Sequence, residues 1–379
     1  GSLSRAEIAK LTGLTPASVT NITKILIEDK FLIESKIGES SGGRPPIILE
    51  LNPNARYVIG IGIGVGVIDV VITNLSAQII TKKSIIIDNE RYNYDLVFKK
   101  LINLINEVLE SSELDKEKIL GVGVALHGIV NARTGESIHS LYYGWKNKNI
   151  KEDLEEELEL TVYVDNDVRA MALGESWFGV TKDIANFVTL NISNGIGAGI
   201  IINNTPYYGV DFSAGEIGHI VVEADGDKCN CGNYGCLETV SSNNNIIRKA
   251  IKLIKQGVST SLSRDVEDIN KLSIQDICDA AKNGDEMSIT ILKEAARYIG
   301  IAITNLINIL NPTSIVVVGE IFENTTYAIE TLNEIVKNRG LKLSIENVRI
   351  IRSLLGRDAA VIGAATLVIQ EIFNGINRK

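Results

Sequence analysis

The stretch spanning residues 215–238 constrains this chain more than any other. It contains His219, Cys229, Cys231 and Cys236, so three of the four cysteines in 379 residues lie within eight positions. One imidazole and three thiolates complete the tetrahedral ligand set of Zn²⁺, and four protein ligands are typical of a structural site. The sequence therefore predicts a structural zinc ion. The alternative is a glycine-rich turn whose thiols are buried without a metal.

Two glutamates adjoin the predicted metal ligands. Glu216 lies three residues before His219, and Glu238 lies two residues after Cys236. A metal ion would hold both carboxylates in place, and carboxylate oxygens accept hydrogen bonds from hydroxyl groups. We therefore expect a polar ligand rich in hydroxyl groups to bind beside the metal.

Length and composition narrow the class of protein. A chain of 379 residues exceeds what one hydrophobic core usually serves, so we expect two or three domains. We expect no signal peptide before the first domain, no apolar run approaches the ~18 residues of a membrane-spanning helix, and the cysteines suit a reducing compartment. We therefore expect a cytoplasmic protein without membrane contact. The net charge of −9 disfavours non-specific nucleic-acid binding by the whole chain, although residues 1–55 are neutral.

The start of the chain has the pattern of a helix-turn-helix. Ser4 and Glu7 are spaced as a capping box for a first helix. Gly13 permits a turn with positive φ, and Thr15 followed by Pro16 starts a second helix. The helical spacing of Val19, Ile22, Ile25 and Leu26 predicts its apolar face. One face of this second helix carries small polar side chains of the kind that read a major groove, whereas an ordinary helical hairpin is the alternative. The residues predicted to contact DNA from this helix are Thr15, Ser18, Thr20, Asn21 and Lys24.

A predicted β-wing follows the two helices. Residues 31–35 and 47–51 have strand character, and the stretch between them is rich in glycine. Its tip carries Arg44, and short arginine arms can enter a minor groove; a solvated loop is the alternative. Residues 1–55 are thus predicted to form a winged helix-turn-helix DNA-binding domain, to which a further N-terminal helix would normally belong.

A repeated pattern dominates the rest of the chain. Residues 57–73 and 187–202 each form a strand, a glycine-rich turn and a second strand, and helices follow both. This repetition predicts a duplicated α/β fold with a cleft between a lobe over residues 56–165 and a lobe over 166–356. The C-terminal helix at 357–379 is expected to complete the first lobe. Glycine-rich turns at a cleft let phosphate oxygens approach backbone N–H groups, although this signal is weak by itself.

The pair Asn166-Asp167 lies where a buried strand ends and a helix begins. In open α/β sheets, ligands bind at the carboxyl ends of the strands. Asp167 could therefore act as a base or accept a hydrogen bond from a sugar hydroxyl. Alternatively, it could cap the following helix.

Together these motifs resemble the ROK family (repressors, open reading frames, kinases) along essentially the whole chain. The resemblance rests on Gly195-x-Gly197-x-Gly199, on Gly215-Glu216-x-Gly218-His219 and on the Cys229–Glu238 motif. It implies an actin-like, RNase H-like fold with two lobes, of the sugar-kinase type, and a structural zinc ion. The helix-turn-helix and the Gly-Gly-Arg-Pro wing place the resemblance in the repressor branch, nearest to xylose-operon repressors of Gram-positive bacteria.

The resemblance also implies roles for single residues. Asn166 and Asp167 match a sugar-binding pair whose aspartate is the catalytic base of the kinases. Glu216, His219 and Glu238 match further sugar contacts. The residues that match the zinc ligands of the family are His219, Cys229, Cys231 and Cys236.

The first glycine-rich turn departs from the kinase pattern. Where ROK kinases have Asp-x-Gly-Gly-Thr, this chain has Gly62-Ile63-Gly64-Val65-Gly66. The missing aspartate removes support for metal-bound phosphates, so Asp167 would be only a vestige of the kinase base. We therefore expect a repressor without enzymatic activity that binds operator DNA as a homodimer or dimer of dimers and is released by a monosaccharide. The alternative is a ROK sugar kinase with an added DNA-binding domain.

Overall fold

The computed structural model describes residues 2–37, 45–266 and 268–375. Residues 2–51, here called the head, contain two helices beside a three-stranded antiparallel sheet. The strand that comes last in the sequence lies between the other two in this sheet. The predicted capping box, the left-handed glycine of the turn and the threonine cap are all present. The elements of the head are β1 (Leu3–Ser4), α1 (Arg5–Thr12), α2 (Pro16–Glu28), β2 (Leu32–Ile37) and β3 (Ile47–Leu51).

The apolar face predicted for α2 is only partly correct. Val19 is buried, but Ile22 and Ile25 are exposed, and Thr23 is buried in their place. The reason is that tertiary contacts decide which side is buried: Arg5 of α1 donates to Thr23 Oγ1 at 3.1 Å, whereas Ile22 and Ile25 stay exposed. The predicted wing tip at Arg44 lies outside the described residues.

The described residues from 57 onward, here called the body, contain two five-stranded sheets, and each sheet is the centre of one half of the body. In the first sheet, three strands form an antiparallel meander, and two further strands run parallel to its first strand, which gives the order β11-β7-β4-β5-β6. The elements from residue 57 to residue 177 are β4 (Tyr57–Ile63), β5 (Val67–Asn74), β6 (Ile79–Ile86), α3 (Tyr94–Ser112), β7 (Ile119–Leu126), β8 (Ile129–Asn131), β9 (Glu136–Ser140), β10 (Trp145–Lys148), α4 (Ile150–Leu158), β11 (Val162–Asn166) and α5 (Asp167–Trp177). The last of these, α5, packs on the second sheet.

The second half repeats this topology. Its sheet has the order β14-β13-β12-β15-β16, again an antiparallel meander flanked by two parallel strands, so the predicted duplication is present. The elements that follow in the chain are β12 (Phe187–Ile192), β13 (Ile196–Ile202), β14 (Thr205–Pro206), α6 (Leu237–Ser241), α7 (Asn243–Lys255), α8 (Leu262–Asp265), α9 (Ile274–Lys282), α10 (Glu286–Leu310), β15 (Ser314–Val318), α11 (Glu320–Asn324), α12 (Tyr327–Arg339), α13 (Lys342–Ile345), β16 (Arg349–Arg352) and α14 (Ala359–Gly375). The last helix, α14, packs on the first sheet. In the described part of the chain, no helix combines the length and apolar character needed to cross a bilayer.

The alternating glycines of both sheets are where helices pack most closely. α14 lies on the first sheet, where a Cβ at Gly60 would come within 2.4 Å of a carbonyl oxygen of α14. α5 lies on the second sheet, where a Cβ at Gly199 would come within 2.4 Å of a carbonyl oxygen of α5. The two helices cross at Gly363, whose Cβ would lie 2.1 Å from the oxygen of Ala170. The sequence pattern therefore indicated these packing sites correctly, because only a residue without a side chain permits such contact.

We expect Gly123→Ala to destabilise the fold strongly. A Cβ at Gly123, on β7, would lie 1.8 Å from the carbonyl oxygen of Ala364, so α14 would have to move away from the sheet. Overpacking of this kind costs about 1–3 kcal/mol or more, which denaturant unfolding would measure. Gly64→Ala is the matched control, because its nearest neighbour would be 3.7 Å away. Equal stability of the two variants would contradict this packing.

A short, well-bonded connection joins the head to the first sheet. The side-chain amide of Asn74, the buried last residue of β5, donates to Asn54 Oδ1 at 2.9 Å. On the head side, the Asn52 side chain donates to the carbonyl of Lys30 at 2.9 Å, and the Arg56 guanidinium lies 4.9 Å from the centre of the Phe31 ring. Residues 52–56 therefore act as a stiff joint.

Candidate ligand and metal site

A cavity of about 480 Å³ is lined by residues of both sheets. It lies at the two glycine-rich turns and at the carboxyl end of β11, where the sequence predicted a ligand. The structure brings together here all residues predicted to bind sugar, namely Asn166, Asp167, Glu216, His219 and Glu238.

The helix cap at the start of α5 is made by Asn166. Its side-chain oxygen accepts from the backbone N–H groups of Val168 and Arg169 at 3.0 and 3.1 Å. Its amide donates to the carbonyl of Gly128 at 3.0 Å and to Asp167 Oδ1 at 2.8 Å. The capping role considered for Asp167 therefore falls on the preceding residue, and Asp167 is a cavity residue at the first helical position.

His127 lines the cavity but was not selected as a site residue from the sequence. Its Nδ1 lies 3.7 Å from Asp167 Oδ2, and its side chain is 24% exposed. Burial by itself lowers the pKa of this imidazole, but the nearby carboxylates of Asp167, Glu238 and Glu216 outweigh burial and raise the pKa. A signal existed, because His127 directly follows β7, and β7 pairs in parallel with β11. Adjacent parallel strands deliver the residues after them to one edge of the sheet.

The two glutamates approach the cavity from the second half of the body. Glu238, in the first turn of α6, accepts from the backbone N–H of Ile196 at 3.2 Å. Glu216 Oε2 lies 3.8 Å from Nε2 of His219. Burial raises the pKa of Glu216. The cavity thus collects carboxylates, an amide and two imidazoles, which are the groups that recognise hydroxyls.

The four predicted metal ligands form one cluster. Cys229 Sγ lies 3.6 Å from His219 Nδ1, Cys231 Sγ lies 3.8 Å from Cys236 Sγ, and all four ligand atoms lie within 4.8 Å of one another. A tetrahedral zinc ion with Zn–S bonds of about 2.3 Å separates its sulfur ligands by roughly 3.8 Å. The cluster could therefore hold a metal ion, and its dimensions fit zinc.

His219 can serve the cluster and the cavity at the same time. Its Nδ1 belongs to the cluster, whereas its Nε2 is the atom nearest to Glu216. A metal bound at Nδ1 would fix both the ring orientation and the tautomer. The metal cluster and the cavity are therefore one connected site.

The two glycine-rich turns approach each other at one side of the cavity. Val65 Cγ2 lies 3.9 Å from the Cβ position of Gly195, and the Val65 carbonyl accepts from Asn194 Nδ2 at 3.3 Å. The two glycine-rich turns therefore touch across the cavity. Nearby, Lys82 Nζ lies 2.6 Å from Asp358 and 3.5 Å from Asp69, so both carboxylates share its charge.

The residues predicted to contact DNA lie in the head, apart from the cavity. On α2, Thr15 caps the helix, Ser18 is half-buried, and Thr20, Asn21 and Lys24 are exposed. These polar side chains share the exposed side of α2 with Ile22 and Ile25.

Comparison with known proteins extends the similarity to the full chain. The model of the ROK family matches residues 58–371. The "Putative xylose repressor" of Caldicellulosiruptor sp. (strain Rt8B.4) is 32% identical over 372 residues, which cover 98% of this chain and 92% of that protein. The "DNA-binding transcriptional dual regulator NagC" of Escherichia coli (strain K12) is also 32% identical, over 99% of this chain and 91% of its own length.

Solved structures agree with the predicted fold. A ROK family transcriptional regulator described as a homolog of the E. coli MLC protein superposes with a TM-score of 0.83 at 30% identity, over 99% of this chain and 93% of its own. A ROK family glucokinase from Streptomyces griseus, solved with glucose and AMPPNP, superposes with a TM-score of 0.75 at 23% identity, over 83% of this chain and 99% of its own. The second likeness concerns the fold alone, which is the predicted actin-like fold with two lobes. This chain belongs to the ROK family.

Proposed function

We propose that this protein is a cytoplasmic, sugar-responsive transcriptional repressor without kinase activity. The observation that carries the proposal is the combination of a helix-turn-helix head with a polar cavity whose first glycine-rich turn, Gly62–Gly66, lacks the aspartate of the kinase pattern. A kinase has to hold metal-bound phosphates at this turn, whereas a sensor needs only the groups that bind the sugar. The names of the curated relatives support the same conclusion.

The effector is proposed to be a monosaccharide, with xylose as the first candidate. The name of the Caldicellulosiruptor relative includes xylose. The sequence of this chain is as similar to the E. coli regulator, at 32% identity in both cases. Calorimetry against xylose, glucose and N-acetylglucosamine therefore has to choose among sugars. A sugar held by Asp167 on one side and Glu216 on the other would draw the two halves of the body together.

The decisive experiment measures DNA binding and ATP consumption on the same preparation. Operator sites would be selected from random duplexes with the full chain, and binding would be followed by fluorescence anisotropy with and without millimolar sugar. We expect one sugar to weaken operator binding at least tenfold and no sugar to stimulate ATP consumption. If no sugar changes the operator affinity, the proposal of a sugar-responsive repressor is refuted. Sugar-dependent ATP turnover would support the kinase alternative.

We propose that His219, Cys229, Cys231 and Cys236 hold Zn²⁺ as a structural ion. The support is the donor set itself, which offers three thiolates and an imidazole at tetrahedral spacing. When bound, zinc supplies a rigid cross-link between the segment that carries Glu216 and the segment that leads into Glu238.

A homodimer, or a dimer of dimers, is proposed to bind DNA, because one helix-turn-helix reads only a few base pairs. An open groove of about 480 Å³ lies beside Glu216, between β13 and α10, and its lining is mainly aliphatic. Two copies of a chain with net charge −9 repel each other least over a surface with few charges, and Glu216 is the charged residue among those that line the groove. This groove is therefore the proposed contact between copies.

Ile309→Arg is expected to give a monomer in sedimentation and to weaken operator binding at least tenfold. Ile309 lines the groove and is 77% exposed, so an arginine there would add a charge to the contact without disturbing the core. Leu343→Arg is the matched control, since Leu343 is 84% exposed and lies outside the groove. A dimeric Ile309→Arg variant with parental operator affinity would place the contact elsewhere.

A further inference from the structure

Arg169 is a buried cation that the proposed ligand contacts do not use. It lies one turn into α5, and its side chain is 3% exposed. Its Nε donates to Asp165 Oδ1 at 2.7 Å, its Nη1 to the carbonyl of Phe212 at 2.8 Å and its Nη2 to the carbonyl of Val130 at 2.9 Å. The guanidinium also lies 5.2 Å from the centre of the Tyr208 ring. One side chain therefore connects β11, β8, α5 and the segment at 207–214.

That segment leads directly into the cavity. Residues 207–214 follow β14 and precede Gly215-Glu216, and Ala214 itself lines the cavity. Phe212 has a φ of 65°, in the left-handed region that bulky residues rarely adopt. Its ring packs edge-to-face against Tyr208 at 5.9 Å, and its carbonyl is the one that Arg169 holds. The segment is thus kept in an unfavourable backbone conformation by contacts made across the cavity wall.

The same arginine also reaches the opposite side of the cavity. Asp165 Oδ1, which accepts from Arg169, accepts in addition from the backbone N–H of Asn166 at 2.7 Å. The ion pair therefore fixes the strand end that presents Asn166 and Asp167. Arginine suits this role, because its planar guanidinium directs several donors at fixed angles, which a lysine cannot reproduce.

We propose that Arg169 is a positioning residue of the sugar cavity, which sets Glu216 at a fixed distance from Asp167 by anchoring residues 207–214 onto α5. The inference rests on the proposed sugar site and adds a residue that touches no sugar. Loss of the anchor leaves both carboxylates in the chain but lets the segment that carries Glu216 drift from the other half of the cavity.

Arg169→Lys tests the proposal, because it keeps the charge beside Asp165 and loses the simultaneous contacts to Phe212 and Val130. We expect calorimetry to show sugar affinity at least tenfold weaker, with operator affinity in the absence of sugar and the metal content unchanged. Amide hydrogen exchange should accelerate at Ala214 and Ile217. In the parent structure, their N–H groups donate to the carbonyls of Tyr208 and Gly215, respectively.

Phe212→Gly is the matched control. Glycine adopts positive φ freely and keeps the carbonyl that Arg169 binds, so sugar affinity should stay within threefold of the parent. A lysine variant that loses stability but binds sugar within twofold of the parent overturns the proposal, because Arg169 would then be purely structural.

Two further arms keep the test decisive. If Arg169→Lys does not fold, Tyr208→Leu is measured instead. This variant removes the aromatic ring over the Arg169 guanidinium and leaves the ion pair with Asp165. Sugar affinity and hydrogen exchange that both stay at the parental values in Tyr208→Leu overturn the proposal. If the parent binds none of the sugars, the proposed function fails by itself. Hydrogen exchange at Ala214 and Ile217 then still decides whether Arg169 anchors the segment.

Discussion

Cys236→Ser is expected to lose the metal and to weaken sugar binding by about a hundredfold. Cys236 is fully buried, and its sulfur lies 3.8 Å from that of Cys231. In the described residues between His219 and Cys236, the regular structure consists of two isolated β-bridges, without a full strand or helix. The metal would therefore be the main cross-link of this segment. Metal binding is coupled to local folding in such segments.

The effect should reach the sugar because the carboxylates depend on that segment. Glu216 lies beside His219, and Glu238 follows Cys236 by two residues. Losing two placed carboxylates, at about 1.5 kcal/mol for each charged hydrogen bond, accounts for a loss of about a hundredfold. Elemental analysis and calorimetry measure both effects. Cys278→Ser is the matched control, since Cys278 is buried in α9 outside the cluster. Stoichiometric zinc that persists in Cys229→Ser and Cys236→Ser would refute the metal site.

Asp167→Asn is expected to fold, to bind operator normally and to lose its response to sugar. Asp167 Oδ1 accepts from the Asn166 side chain and from the N–H of Val168 at 2.8 and 2.9 Å, and an asparagine oxygen can accept both. The other carboxylate oxygen, 3.7 Å from His127, becomes an NH₂ group that can no longer accept from a sugar hydroxyl. A lost acceptor in a buried site costs about 1–3 kcal/mol, roughly tenfold to a hundredfold in affinity.

Operator titration by fluorescence anisotropy, with and without millimolar sugar, measures this loss. Asp183→Asn removes the same charge at an exposed position outside the cavity and should respond like the parent. Linkage adds an internal check, because operator DNA must weaken sugar binding by the same factor by which sugar weakens operator binding. If Asp167→Asn responds to sugar as the parent does, the signal enters elsewhere.

Local features of the fold were predictable from the sequence because short-range chemistry decides them. The Ser4 capping box, the Thr15 cap and the left-handed Gly13 each depend on neighbours within a few positions. The duplicated sheets were also predictable, since the glycine and β-branched patterns recur. The burial of α2 was not, because Ile22 and Ile25 depend on what packs against the helix rather than on their spacing.

The candidate site shows the same division between local and distant information. The cysteine cluster is close in sequence, so its spacing alone indicated a shared ion. His127 was missed because its partner Asp167 is forty residues away, and only the pairing of β7 with β11 brings the two together. Arg169 was missed for the same reason, since its role depends on the carbonyl of Phe212 in a distant segment.

The stiff joint at residues 52–56 has a consequence for the amount of motion that regulation requires. With Asn54 bonded to Asn74 and Arg56 stacked on Phe31, the head and the first sheet turn together as a single lever. A lever that turns by about 10° moves a point roughly 20 Å from its pivot by about 3.4 Å, the rise of one base pair. Closure of the cavity by about 10° would therefore shift the head by about one base-pair step relative to the operator that we propose it to bind. A protein built in this way can release its DNA without any rearrangement inside the helix-turn-helix itself.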